Sequence, residues 1–147
     1  PTQEEDEETH PLLTTDTISV IKARRGQGVF RRNLEEYWGN KCSVTRAPDS
    51  SCGTILIASH IKPWVMSNNR EKLDVNNGFL LLPNLDKTFD KGYISFADNG
   101  TILVSSKLSC SAELGIVEGM SINQEKLNDS HRQYLDFHRG NIFIGNG

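Results

Sequence analysis

Three side chains near the centre of the sequence have the chemistry to hydrolyse a phosphodiester: His60, Asn77 and Asp86. Such hydrolysis needs a base for the attacking water and a cation for the charge that develops on the phosphate and the leaving oxygen. A histidine held at a strand end can be that base at neutral pH. A carboxylate on a nearby helix can hold a hard cation such as Mg²⁺. An asparagine between them can pair with backbone groups and fix the loop that carries the base. Each residue also has an ordinary structural reading. His60 alone would be a satisfied core histidine, Asn77 the turn residue before Gly78, and Asp86 an acid favoured by a helix N-terminus.

The surrounding elements decide between these readings. Residues 54–58 (TILIA) form a β-rich run that leads into Ser59-His60-Ile61-Lys62-Pro63-Trp64. Pro63 forbids a continuing central strand, which puts His60 at or just past a strand end. Residues 67–74 are polar without periodicity and read as loop. Asn76-Asn77-Gly78 marks a turn, residues 79–82 a short apolar strand, and Pro83-Asn84 a helix start with a cap residue. That helix covers about 85–90, carries Asp86 and stops at Gly92. The order is therefore strand, loop, strand, helix.

Outside this unit, Phe30, Leu34, Tyr37 and Trp38 fall on one helical stripe that Gly39 ends. Residues 42–45 suggest a strand and 47–53 a loop. Residues 93–96 and 101–105 flank Asp98-Asn99-Gly100, a strong hairpin signal, and a last helix spans 130–139. His131 and His138 share a face of it, but a metal site there lacks a third ligand, so both read as packing or surface residues.

A length of 147 residues and 36% hydrophobic composition suit one domain with one modest core. No run approaches the roughly 20 apolar residues of a membrane helix, and the N-terminus lacks a secretory pattern. A first residue of Pro1 rather than Met suggests processing or a piece of a longer chain. Cys42, Cys52 and Cys110 include no CxxC pair and are odd in number, which argues for a reducing, cytoplasmic setting. Residues 1–16 hold six acids and no Lys or Arg, and read as a disordered tail or linker. The chain carries −3 overall, so the rest carries +3, with seven basic residues against Glu35 and Glu36 within 22–46. Arg24, Arg25, Arg31 and Arg32 are the best candidates there for phosphate contact, with Lys62 beside the base.

The segments RRGQGVFRRNLEEYWGNKCSVT (24–45), ILIASHIKPW (55–64), LDVNNGFLLLPNLDKTFDKGYISF (73–96) and HRQYLDFHR (131–139) resemble the HNH endonuclease family. The likeness is strongest to the bacterial branch fused to modules of restriction or defence enzymes. A lone His or an Asn-Gly pair is worthless as evidence. The joint pattern of SHIKPW, Asn77-Gly78, and Asp86 followed by Phe89-Asp90-Lys91-Gly92 is specific. The resemblance implies an α+β fold with a ββα-metal core over 17–147, flanking helices and a β-hairpin. It implies His60 as general base, Asn77 as loop brace and Asp86 as metal ligand. The family often has Asp, Glu or His directly before the base as a second ligand; Ser59 stands there in this chain. A divalent metal follows as cofactor, Mg²⁺ first and Mn²⁺ next, with DNA as substrate. A fused target-recognition domain and a homodimer for double-strand cleavage belong to the same expectation. Two rivals are a degenerate module that binds DNA without cutting, for which Ser59 speaks, and a protein–protein interaction domain, for which the acidic pI near 5.8 speaks.

Overall fold

The computed structural model describes residues 14–49 and 55–145. The chain opens on a 24-residue helix, α1 (Thr15–Trp38). Thr14 caps it by accepting from the Thr17 backbone N–H at 3.1 Å. Gly39 ends it with φ 66°, the left-handed turn that favours glycine. The expected stripe is present, with Phe30, Leu34 and Trp38 buried. The helix nevertheless starts well before Gly26 and Gly28, residues that each cost roughly 1 kcal/mol in a helix interior. Packing overrides that cost: a Cβ at Gly26 would stand only 3.3 Å from Leu73 Cδ2, so the glycine lets the helix approach its neighbour closely. Thr15 and Asp16, assigned above to the acidic tail, belong to α1; residues 1–13 of that tail lie outside the described residues.

The centre of the molecule is the strand–loop–strand–helix unit. Strand β1 (Ile57–His60) pairs antiparallel with β2 (Gly78–Leu81), in the register Ile57↔Leu81 through His60↔Gly78. Helix α3 (Pro83–Asp90) follows after Leu82 and packs back on β1. Pro83 occupies the first turn, where its missing N–H costs nothing. Asn84 is not the cap expected of it; it lies inside α3 and donates from Nδ2 to the Leu114 carbonyl at 2.6 Å.

Residues 67–74 are not plain loop. They contain α2 (Asn69–Leu73), a short helix closed by a capping box between Asn68 and Glu71. Residues 42–45 form a turn rather than a strand, and Lys41 and Pro48 make an isolated bridge around it. Ser43 still uses strand-like bonds: its N–H donates to the Leu80 carbonyl at 2.7 Å, and its Oγ accepts from the Leu80 N–H at 3.1 Å. The hairpin β3 (Ile94–Phe96) and β4 (Ile102–Val104) forms as expected. Helix α4 (Asp129–Asn141) runs through Gly140. The result is an α+β fold around a ββα core, with Phe30, Leu34, Phe79, Leu80, Leu81, Phe89, Phe96 and Leu135 fully buried in one cluster.

Candidate active site

His60 is the last residue of β1, and the backbone turns away immediately after it. Its ring lies flat on Phe30, centroids 3.8 Å apart and planes 8° apart, while the Trp64 ring meets it edge-on at 5.6 Å. Its Nε2 stands 2.9 Å from the Lys72 carbonyl oxygen. A carbonyl can only accept, so Nε2 carries the proton and Nδ1 keeps the free lone pair of the neutral ring. Burial holds the His60 pKa below its ordinary value, against the opposing pull of the Lys72 carbonyl. A neutral imidazole with Nδ1 open is what a general base requires.

Asn77 is fully buried. Its Oδ1 accepts from the Lys62 N–H at 2.8 Å and its Nδ2 donates to the Glu71 carbonyl at 3.0 Å. Its own carbonyl accepts from the Ile61 N–H at 3.1 Å. One amide thus ties the start of the loop after His60 to the helix that supplies the Lys72 carbonyl.

Asp86 stands in the first turn of α3, half-buried, and its carboxylate accepts a hydrogen bond from the buried Ser59 hydroxyl. Burial raises its pKa above the ordinary value; Asp90, one helical turn on, adds to this, and Ser59 and Lys87 oppose it. Ser59 and His60 are consecutive, so the base and the Ser59–Asp86 pair share one strand end. Among the described residues no cluster of three or more His, Cys, Asp or Glu side chains could enclose a metal. The donor set is one carboxylate and one hydroxyl, both hard oxygens. It fits a cation that retains most of its waters and completes its shell on substrate phosphate, as Mg²⁺ does. A half-buried carboxylate with a second acid nearby is also a place where a cation relieves unfavourable charge.

The basic residues are less uniform than their sequence suggests. Arg31 pairs with Glu35 at 3.0 Å and with the buried Asp49 at 3.4 Å. Lys62 Nζ meets both Glu71 oxygens at 3.1 Å. Arg25 is half-buried, and Arg24 and Arg32 are exposed on α1. The five do not form one open face.

Three contributors escape a reading of the sequence. Phe30 reads as an ordinary core position, yet its ring is the floor under His60. The Lys72 partner is a carbonyl, which every residue carries. Asp49 accepts from the Ile55 and Leu56 N–H groups at 3.1 and 3.4 Å and so anchors the approach to β1. Only the Asn68-x-x-Glu71 spacing could have revealed the helix that presents Lys72. His131 and His138 are buried and pushed down to about 4 by desolvation. His138 bonds Ser95 Oγ at 2.8 Å and the Phe89 carbonyl at 2.9 Å, which makes it a packing residue. Cys42 and Cys110 are free, and Cys52 lies outside the described residues. No helix among the described residues is long and apolar enough to cross a membrane.

A family model described as HNH endonuclease matches residues 42–97, the stretch that holds β1, β2, α3 and all four site residues. No curated protein matches the sequence. Among solved structures, a modification-dependent TagI restriction endonuclease is 22% identical over 79% of this chain and 39% of its own, with a TM-score of 0.47. The chain therefore spans well under half the length of that enzyme.

Proposed function

We propose that this chain is a divalent-metal-dependent endonuclease of the HNH type that hydrolyses DNA, with His60 as general base, a reading supported by the match of residues 42–97 to the HNH endonuclease model. The observation that carries this reading is the fixed tautomer of His60: its proton is engaged by the Lys72 carbonyl, and Nδ1 is left to take another. In the proposed reaction Nδ1 accepts a proton from water as its oxygen attacks phosphorus. The bond from phosphorus to the 3′ oxygen breaks, and that oxygen takes a proton from solvent water, leaving 5′-phosphate and 3′-hydroxyl ends, while Nδ1 later returns its proton to solvent. Phe30 and Trp64 hold the imidazole plane, and Asn77 holds the loop that closes behind it. Asp86, oriented by Ser59, would hold Mg²⁺ or Mn²⁺, which supplies charge neutralisation at the phosphate and the leaving oxygen.

The described residues share one core, and the ββα unit with its supporting helices uses it. We therefore assign target recognition to another module of a cytoplasmic restriction or defence enzyme, and double-strand cleavage to two copies. A second reading, a module that binds DNA without cutting it, is favoured by the sparse ligand set at Asp86.

A titration of plasmid nicking with Mg²⁺ and Mn²⁺ separates the two. Wild type should nick only with metal, and Asp86→Ala should abolish nicking at every concentration. Ser59→Asp, which adds a second carboxylate, should lower the metal concentration for half-maximal activity. Unchanged metal dependence in Asp86→Ala would place the cation elsewhere, and no nicking by wild type would favour the inactive binder.

A further inference from the structure

The most exposed large apolar side chain among the described residues is Val65, at 86%, and Met66 beside it is 50% exposed. Neither sits on a loose loop. They occupy the one-turn 3₁₀ helix Trp64–Met66, where the Met66 N–H donates to the Pro63 carbonyl at 2.9 Å and the Ser67 N–H to the Trp64 carbonyl at 3.1 Å. Ser67 Oγ donates to the Lys62 and Pro63 carbonyls at 3.1 and 3.0 Å. The buried Asn77 amide reaches both Ser67 Oγ and the Lys62 carbonyl at 3.4 Å. The bonds that brace the base therefore also stiffen an apolar tip and hold it out in solvent.

Its position says what it meets. The Trp64 ring centroid lies 5.6 Å from that of His60, and two further residues extend the chain by roughly 7 Å at most. The tip therefore lies close enough to His60 to meet a duplex that is seated there. Lys72 Nζ, 4.6 Å above the Trp64 ring, has no ion-pair partner among the described residues and puts a cation beside the apolar pair. Arg70, its side chain 73% exposed, adds a second charge, partly offset by Asp74 at 3.6 Å. A rigid apolar point flanked by cations suits a phosphate-lined groove whose floor is base edges. Apolar side chains that enter such a groove part a base step and kink the duplex.

We infer that Val65 and Met66 form a wedge that enters duplex DNA beside the scissile phosphate and opens a base step there. This rests on the endonuclease reading above and specifies how that site handles its substrate. The opened step bends the backbone toward His60, so intact duplex needs the wedge and already distorted duplex does not.

The test uses the full chain with Mg²⁺, as wild type and as the double variant Val65→Ser/Met66→Ser, whose exposed positions leave the fold intact. Cleavage rates are measured on an intact oligonucleotide duplex and on the same duplex carrying a two-nucleotide bulge. The variant should lose about tenfold or more on the intact duplex, the scale of one lost unstacking contact, and stay within about twofold of wild type on the bulged one. Equal cleavage of both substrates by both proteins overturns the wedge and leaves the endonuclease reading standing. An equal loss on both substrates also overturns it, since a plain binding contact ignores distortion. A wild-type dimer in sedimentation that the variant loses, with cleavage unchanged, assigns the tip to a second copy of the chain and overturns the wedge as well. Wild type cutting neither duplex overturns both readings together.

Discussion

Asn77 carries most of the burden at the scale of a single residue, because an amide both accepts and donates. Its Oδ1 takes the Lys62 N–H and its Nδ2 gives to the Glu71 carbonyl, both from a fully buried side chain. Asn77→Asp keeps the acceptor and, when ionised, loses the donor. The orphaned carbonyl should cost roughly 1–3 kcal/mol, lowering the thermal midpoint. Cleavage should fall more steeply than DNA affinity, because the Lys72 carbonyl that fixes the His60 tautomer moves with the loop. Thermal unfolding and nicking kinetics of this variant check the claim; wild-type values in both would show that the loop holds itself.

At the scale of elements, the site depends on how closely α1 lies on the β1–β2 pair. Gly78 faces His60 across the pair, and its backbone is ordinary extended strand. The demand is for space: a Cβ there would overlap the Phe30 ring edge and crowd Leu34 Cδ1 at 3.1 Å. Gly78→Ala should push Phe30 out of its stack on His60 and cost about 1–3 kcal/mol, the usual range for overpacking. Reduced stability with reduced cleavage is the expected outcome, read from denaturant unfolding and plasmid nicking; a fully active, equally stable variant would mean that α1 yields without disturbing the base. The same contact shows where sequence reasoning stops. Phe30 and Gly78 could each be assigned, one to a core stripe and one to a turn, but 48 residues separate them. Nothing in periodicity pairs them. The ββα order was legible because Pro63, Gly78 and Pro83 punctuate it. The length of α1 was not, since local glycine propensity pointed one way and contact with Leu73 the other.

At the scale of the whole molecule, a buried frame lies beside the proposed active site. The buried aromatic cluster and the two buried histidines of α4 fix the frame. The site gathers His60, Ser59, Asp86 and the braced loop with its apolar tip. The run of basic residues suggests a DNA face, yet Arg31 pairs with Glu35 and Asp49 and Lys62 with Glu71, because the fold brings these acids against them. Charge counted along a sequence cannot see such partners. What remains legible is the chemistry at the strand end, and it yields the sharpest test. Wild type and His60→Ala are compared for nicking of supercoiled plasmid in saturating Mg²⁺, alongside binding to the same DNA. His60→Ala should bind as wild type does and nick roughly 10²–10⁴-fold more slowly, the share of a general base. A variant that nicks within about threefold of wild type would contradict that role.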